Sequence, residues 1–195
     1  MKKSKIILIV LCVALIAFLA LSAKVIDKGT EGQYTGEVAF DASASSSGDW
    51  GNVLNEITAA ATDITAVDLG ALGDGKAVTL KGQVTAFESK GNGKKNSITV
   101  IPEGYSGSAV FTVQLGSVYT GTAIRDIQSV KAFGDFTNQT EWSAYAKALN
   151  SQMHEAVVVP LGIDESIQGK TVTITGAATG SADKVDITPV AIAIE

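Results

Sequence analysis

From Ala77 the chain takes on a period of two. Val78, Leu80, Gly82, Val84 and Ala86 alternate with Thr79, Lys81, Gln83 and Thr85. Successive side chains of an extended backbone point to opposite faces, so this pattern predicts a half-buried strand. A lone strand is unstable, and the downstream sequence supplies its partners. The loop Lys90-Gly91-Asn92-Gly93-Lys94-Lys95-Asn96 turns the chain. Ser97–Ile101 and Ala109–Leu115 then read as strands around a turn at Glu103-Gly104-Tyr105-Ser106-Gly107. After Pro160, Gly169-Lys170 leads into a strand at Thr171–Thr179, and Lys184–Ile194 forms the last one. Val172, Ile174, Val185 and Ile187 again alternate with polar residues.

Two segments carry the helical period instead. Asp49 is placed to cap a helix whose apolar residues Trp50, Val53, Leu54, Ile57 and Ala61 share one face. A short turn around Val67–Leu72 ends at Gly73-Asp74-Gly75. Asn138 opens the second helix with Glu141 three residues on, the spacing of a capping box. Its core stripe is Trp142, Tyr145, Ala146 and Leu149. Val118 to Phe133 is mixed in character, with 127–133 expected to pair with the sheet or cap it. Three strands, a helix and two more strands is the element order of an OB-like small β-barrel, which closes on itself and removes exposed edges. The predicted class is mainly β (α+β), with an inserted helix and a preceding N-terminal helix.

The N-terminus constrains location. Lys2-Lys3-Ser4-Lys5 precedes Ile6–Leu21, in which Cys12 is the only residue that is not a plain apolar one. A basic start before an apolar run is the form of a secretory signal or signal anchor. Sixteen helical residues reach roughly 24 Å, slightly short of a hydrocarbon core, and Lys5 and Lys24 extend that reach by snorkelling. The lysines on the near side place the rest of the chain outside the cytoplasm. Ala20-Leu21-Ser22 is a small-x-small cleavage site, so removal and retention as a membrane anchor through residues 6–22 both stay open. The expected organisation is 1–23 signal peptide or anchor, 24–48 a small polar linker, and 49–195 the barrel domain with its N-terminal helix.

Composition narrows the chemistry. The net charge is −5, and without Lys2, Lys3 and Lys5 there remain 12 basic against 20 acidic groups, a net −8. Nucleic-acid partners need counterion-releasing basic surfaces and are not expected. Beyond Cys12 the chain has no thiol, and His154 is its only histidine. Zinc sites take several His or Cys ligands, so no metal and no cofactor is predicted. His154 reads as a solvated residue at a helix end. No Gly-x-Ser-x-Gly elbow is present, and Gly91-Asn92-Gly93-Lys94-Lys95 lacks P-loop spacing. Lys90, Lys94 and Lys95 stand on a hairpin where OB-folds grip oligonucleotides or oligosaccharides, but a solvated turn is the simpler reading.

One block carries a family resemblance. It runs through Gly121-Thr122-Ala123-Ile124-Arg125-Asp126 and Phe133-Gly134-Asp135-Phe136-Thr137-Asn138-Gln139. It continues in Ala148-Leu149-Asn150, Gly169-Lys170-Thr171-Val172 and Ile187-Thr188-Pro189-Val190. Together these resemble the bacterial predicted periplasmic lipoproteins of unknown function, over about residues 38–195. The resemblance implies an exported protein, often encoded beside sugar ABC-transporter components, with no assigned activity. The chain departs from the lipoprotein label: Leu11 precedes Cys12 where lipidation needs a small residue, and Cys12 lies deep in the apolar run. A peptide anchor is expected rather than a lipid.

The candidate ligand site is Arg125, Asp126, Asp135, Phe136, Asn138 and Gln139. Guanidinium and carboxamide donors beside an aromatic ring suit a sugar, whose hydroxyls take the donors while its apolar face meets the ring. The competing structural reading pairs Arg125 with Asp135 and uses Asn138 as a helix cap, with Trp142 and Tyr145 as core. A glycosidase pair of Asp126 with Asp135 or Glu141 is formally possible, though no spacing selects it. The expectation is a non-enzymatic binding or accessory protein whose partners are a small saccharide or an ABC-transporter component. The alternative is a structural or protein-interaction module of the cell envelope with no small-molecule ligand.

Overall fold

The computed structural model describes residues 39–195. The apolar segment, its cleavage site and most of the expected linker lie outside the described residues. The first helix, α1, spans Ala42–Ala60. Asp41 caps it, its carboxylate accepting the Ser43 and Ala44 N–H groups at 3.0 Å each. The run Ser43–Ser47, expected as linker, is therefore the opening of the helix, and Asp49 is not its cap. Serine lacks the apolar period that marks a helix face, yet Ser46 is buried and returns its hydroxyl to the Ser43 carbonyl at 3.1 Å. Asp49 instead accepts the Tyr145 hydroxyl at 3.0 Å. Trp50, Val53 and Ile57 form the buried face of α1.

After α1 a two-residue strand, β1 (Thr62–Asp63), pairs in parallel with β2 (Lys76–Glu88). Two 3-10 turns follow, Ile64–Ala66 and Leu69–Ala71, opened by Asp63 and Asp68 side chains on Thr65 N (2.8 Å) and Gly70 N (3.0 Å). The remaining strands are β3 (Ser97–Pro102), β4 (Val110–Gln114), β5 (Thr171–Ser181) and β6 (Lys184–Ile194). Their order is β1-β2-β3-β4-β6-β5, and β5 pairs back onto β2 to close a barrel of β2 to β6. Within it β4 and β6 run parallel and the other neighbours antiparallel.

The alternating residues fill the interior. Val78, Leu80, Val84, Ile98, Val100, Phe111, Val113, Val172, Ile174, Val185 and Ile187 are each at most 1% exposed. Curvature requires close backbone approach at two glycines. A Cβ on Gly82 would lie 2.2 Å from the Ile101 carbonyl oxygen, and one on Gly176 would lie 2.4 Å from that of Thr188. Register shifts between Val84 and Ala86, and between Thr175 and Gly176, bend the same two long strands.

Between β4 and β5 the chain forms α2 (Ala123–Ile127) and α3 (Gln139–Met153). Residues 127–133 add no strand to the barrel; between the end of α2 and a 3-10 turn at Phe133–Asp135 they form a loop held by side chains. The helix α3 begins as expected at Asn138, whose Oδ1 accepts from Thr140 N (2.9 Å) and Glu141 N (3.0 Å). The reciprocal half of the capping box is displaced by one residue: Glu141 accepts the Thr137 N–H at 2.8 Å. Tyr145, Ala146, Leu149 and Met153 are buried, whereas Trp142 is only half-buried. Beyond Met153 the helix widens into a π turn, His154–Val158.

Candidate functional site

Arg125 lies in α2, with its side chain 12% exposed. It pairs with its sequence neighbour Asp126, not with Asp135. Nε and Nη2 both donate to Asp126 Oδ1, the former at 2.8 Å. Nη2 also donates to Thr122 Oγ1 at 3.2 Å, and Nη1 to the Trp142 carbonyl at 3.4 Å. The guanidinium sits over the Trp142 ring, 4.4 Å from its centroid. Arg125 therefore clamps α2 to α3 through the bond to the Trp142 carbonyl and the cation–π contact, while Asp126 and Thr122 fix the guanidinium on its own helix.

The other expected site residues divide by role. Asp135 accepts the Ala132 N–H at 2.8 Å and so closes its own turn. Phe136 packs its ring 5.1 Å from both Trp142 and Tyr145, centroid to centroid, as part of the support beneath the site. Asn138 is occupied as the α3 cap, and Gln139 is an exposed first residue of that helix. Of the six candidates, Arg125 and Asp126 line a common concavity. Trp142, expected in the core, lines it with them.

That concavity has a volume of about 530 Å³ and also takes in Asp74, Ser129 and Lys131. Its loop wall is fastened by the buried side chain of Gln128. The Gln128 amide donates to the carbonyls of Arg125 (3.0 Å) and Lys131 (2.7 Å), and its oxygen accepts the Lys131 N–H at 2.9 Å. Glu56 of α1 holds the same loop from behind, both oxygens accepting the Ser129 N–H at 2.9 and 3.0 Å. Among the described residues the side chains of Asp74, Ser129 and Lys131 make no hydrogen bond or ion pair. The site thus has a braced floor and free polar groups on its rim. Asp74, Ser129 and Lys131 escape a reading by motif because each is a single polar residue in a loop; the Gly-Asp-Gly turn was the one available signal.

One further expectation is corrected, that of a solvated His154. His154 is half-buried, its Nδ1 3.0 Å from the Tyr119 hydroxyl, with the rings edge to face at 5.9 Å. Burial pushes the Tyr119 phenol well above its usual pKa. The proposed glycosidase carboxylates do not face one another across this concavity. Asp126 serves Arg125, Asp135 its own turn and Glu141 the start of α3. Each is placed by an adjacent donor, and of the three only Asp126 lines the concavity.

The family model described as predicted periplasmic lipoprotein (DUF2291) matches residues 11–193. The chain belongs to this family. It is an extracytoplasmic protein accordingly, and the family's function is unknown. No curated protein matches this family member. Among solved structures it is similar to an OB-fold protein from Thermotoga maritima, with a TM-score of 0.52 and 14% identity, covering 80% of this chain and 99% of that one. At that identity the likeness shows the fold alone, and the fold is an OB barrel. An OBody, NL8, bound to hen egg-white lysozyme also matches, with a TM-score of 0.30 and 16% identity, over 62% of this chain and 94% of that one. Among the described residues no helix is long and apolar enough to cross a membrane.

Proposed function

We propose that this periplasmic family member is a non-enzymatic, membrane-associated binding or accessory protein that holds a small saccharide in the Arg125 concavity. One observation carries the reading: a carboxylate, an ammonium and a hydroxyl stand unpartnered around a floor that Arg125, Asp126 and Trp142 brace. Sugar hydroxyls are donors and acceptors at once, so a rim of both kinds matches them better than it matches a simple ion. Arg125 acts chiefly as a positioning residue, since most of its donors are already taken. The apolar segment Ile6–Leu21 tethers the domain on the outer side of the membrane, where a sugar ABC-transporter component is the natural partner.

The test is a thermal-melting screen of the full chain in a polyoxyethylene detergent, which carries no sugar headgroup to compete. Neutral mono- and disaccharides form the panel. One class should raise the melting temperature saturably, and Lys131→Ala or Asp74→Asn should abolish that rise while leaving the unliganded melt intact. Unchanged melting across the panel, with no transporter component recovered by crosslinking, would overturn the proposal in favour of an envelope interaction module without a small ligand.

A further inference from the structure

The outer wall of the barrel carries a second concavity, of about 200 Å³, built from strands rather than from the helical insertion. Strand register sets Ser97 opposite Gln114, and Thr112 opposite Asp186. Their alternating neighbours Ile98, Val113, Val185 and Ile187 fill the barrel interior, so these polar residues and Lys184 share the outward face. Gln114 steadies the rim, its Oε1 accepting from Thr120 N at 2.7 Å and its Nε2 donating to the Thr120 carbonyl at 3.3 Å.

The loop wall is locked before any ligand arrives. Leu115 N and Gly116 N both donate to the Asn96 carbonyl, at 2.8 and 3.0 Å, and Val118 N donates to the Lys94 carbonyl at 2.9 Å. Only glycine permits this approach: a Cβ on Gly116 would lie 2.2 Å from the Lys94 carbonyl oxygen. Preorganisation of this kind lowers the ordering cost of binding. In the same wall Asn96 Oδ1 is shielded and has no hydrogen-bond partner. A shielded acceptor left unpaired is costly, and turning this amide toward a bound hydroxyl relieves the cost.

Charge selects the ligand. In a chain of net charge −5, this concavity gathers Lys95 and Lys184 against the single carboxylate of Asp186, which is 3.8 Å from Lys184 Nζ. The Lys95 ammonium and the hydroxyls of Ser97 and Thr112 have no hydrogen-bond or ion-pair partner among the described residues. Val118, 47% exposed, adds an apolar edge. We infer that this barrel face binds a small sugar acid. Its carboxylate lies between Lys95 and Lys184, its hydroxyls meet Ser97 and Thr112, and its C–H face packs on Val118. The site is independent of the Arg125 concavity and stands or falls without it.

Calorimetric titration of the full chain in polyoxyethylene detergent with sodium glucuronate tests the inference, with glucose and acetate as controls that each lack one feature. Glucuronate should bind saturably, and Lys95→Ala or Lys184→Ala should weaken it about tenfold, as loss of a charge-assisted bond does. Thr112→Val keeps the side-chain shape and should weaken it severalfold. Lys131→Ala, in the other concavity, should leave it unchanged. The inference is overturned by acetate or glucose binding as well as glucuronate. It is equally overturned if the double lysine variant, with an unaltered circular dichroism spectrum, keeps its affinity. Loss of binding in Lys131→Ala would also sink it, by moving the ligand to the Arg125 concavity.

Discussion

The barrel and the helical insertion between β4 and β5 are held together in different ways. In the barrel, stability is distributed: many alternating apolar residues fill one interior, and backbone ladders close the sheet on itself. In the insertion α3 also buries an apolar face, but α2, the loop after it and the start of α3 are fastened by single side chains such as Arg125, Gln128 and Asn138, each satisfying a few named backbone or charged groups. A distributed core tolerates the loss of any polar surface group but feels every missing methylene. A clamp fails when its one side chain fails.

The sharpest break of that contrast is made inside the barrel. Leu80 is fully buried in β2, the strand that pairs with β1, β3 and β5. Leu80→Ala should cost about 2–5 kcal/mol, the range for emptying a buried leucine site. The loss should be global, with barrel and insertion melting in one transition during urea unfolding. A cost below about 1 kcal/mol would mean that this interior is not the common core.

The difference between the two regions also explains what could be read from the chain alone. A strand face repeats over several residues, so Val78 to Ala86 announces itself, and the element order then points to an OB barrel. The start of α3 was legible because Asn138 and Glu141 form a local signal. The start of α1 was not, since the cap Asp41 stands before a serine run with no apolar period. At the site, the sequence marks Arg125 as notable but cannot choose between Asp126 and Asp135 as its partner. That choice depends on the short α2 and its Thr122 neighbour, where a few ångströms decide the pairing. Trp142 follows the spacing of a core stripe, yet Arg125 rather than the barrel covers its ring. Periodicity predicts which face a residue is on; it does not predict what lies against that face.

A smaller and more local effect is expected at Arg125. Arg125→Ala removes the fork on Asp126, the bond to the Trp142 carbonyl and the cation–π contact. The cost should be about 2 kcal/mol, as for hydrogen bonds to a charged group that is largely out of water. Lysine should not restore it, because an ammonium has neither the planar fork nor the stacking face. Trp142 and Trp50 are the only tryptophans, so intrinsic fluorescence reports the insertion in a Trp50→Phe background. Arg125→Ala should red-shift that emission while the far-ultraviolet signature of the barrel persists. Full rescue by lysine would show that charge alone, without geometry, fastens α2 to α3.

The smallest effect is acid sensitivity, and it falls on the margins of both regions alike. Asp63, Glu88 and Asp164 are held below the usual carboxylate range, by hydrogen bonds from Thr65, Lys90 and Ser166 respectively. Glu88 ends β2, and Asp63 and Asp164 open 3-10 turns, so all three lie at the margins of secondary structure. Their folded pKa values are below the unfolded ones, so their stabilisation is present above the unfolded value, about 4. It is lost as pH falls through the folded values. These groups therefore predict a melting temperature that is level near neutrality and declines modestly below about pH 4. Asp63→Asn and Asp164→Asn should each flatten part of that decline without altering the unfolding of the core. A melting temperature that rose as pH fell through this window would reverse the sign, and would require carboxylates whose charge destabilises the fold instead.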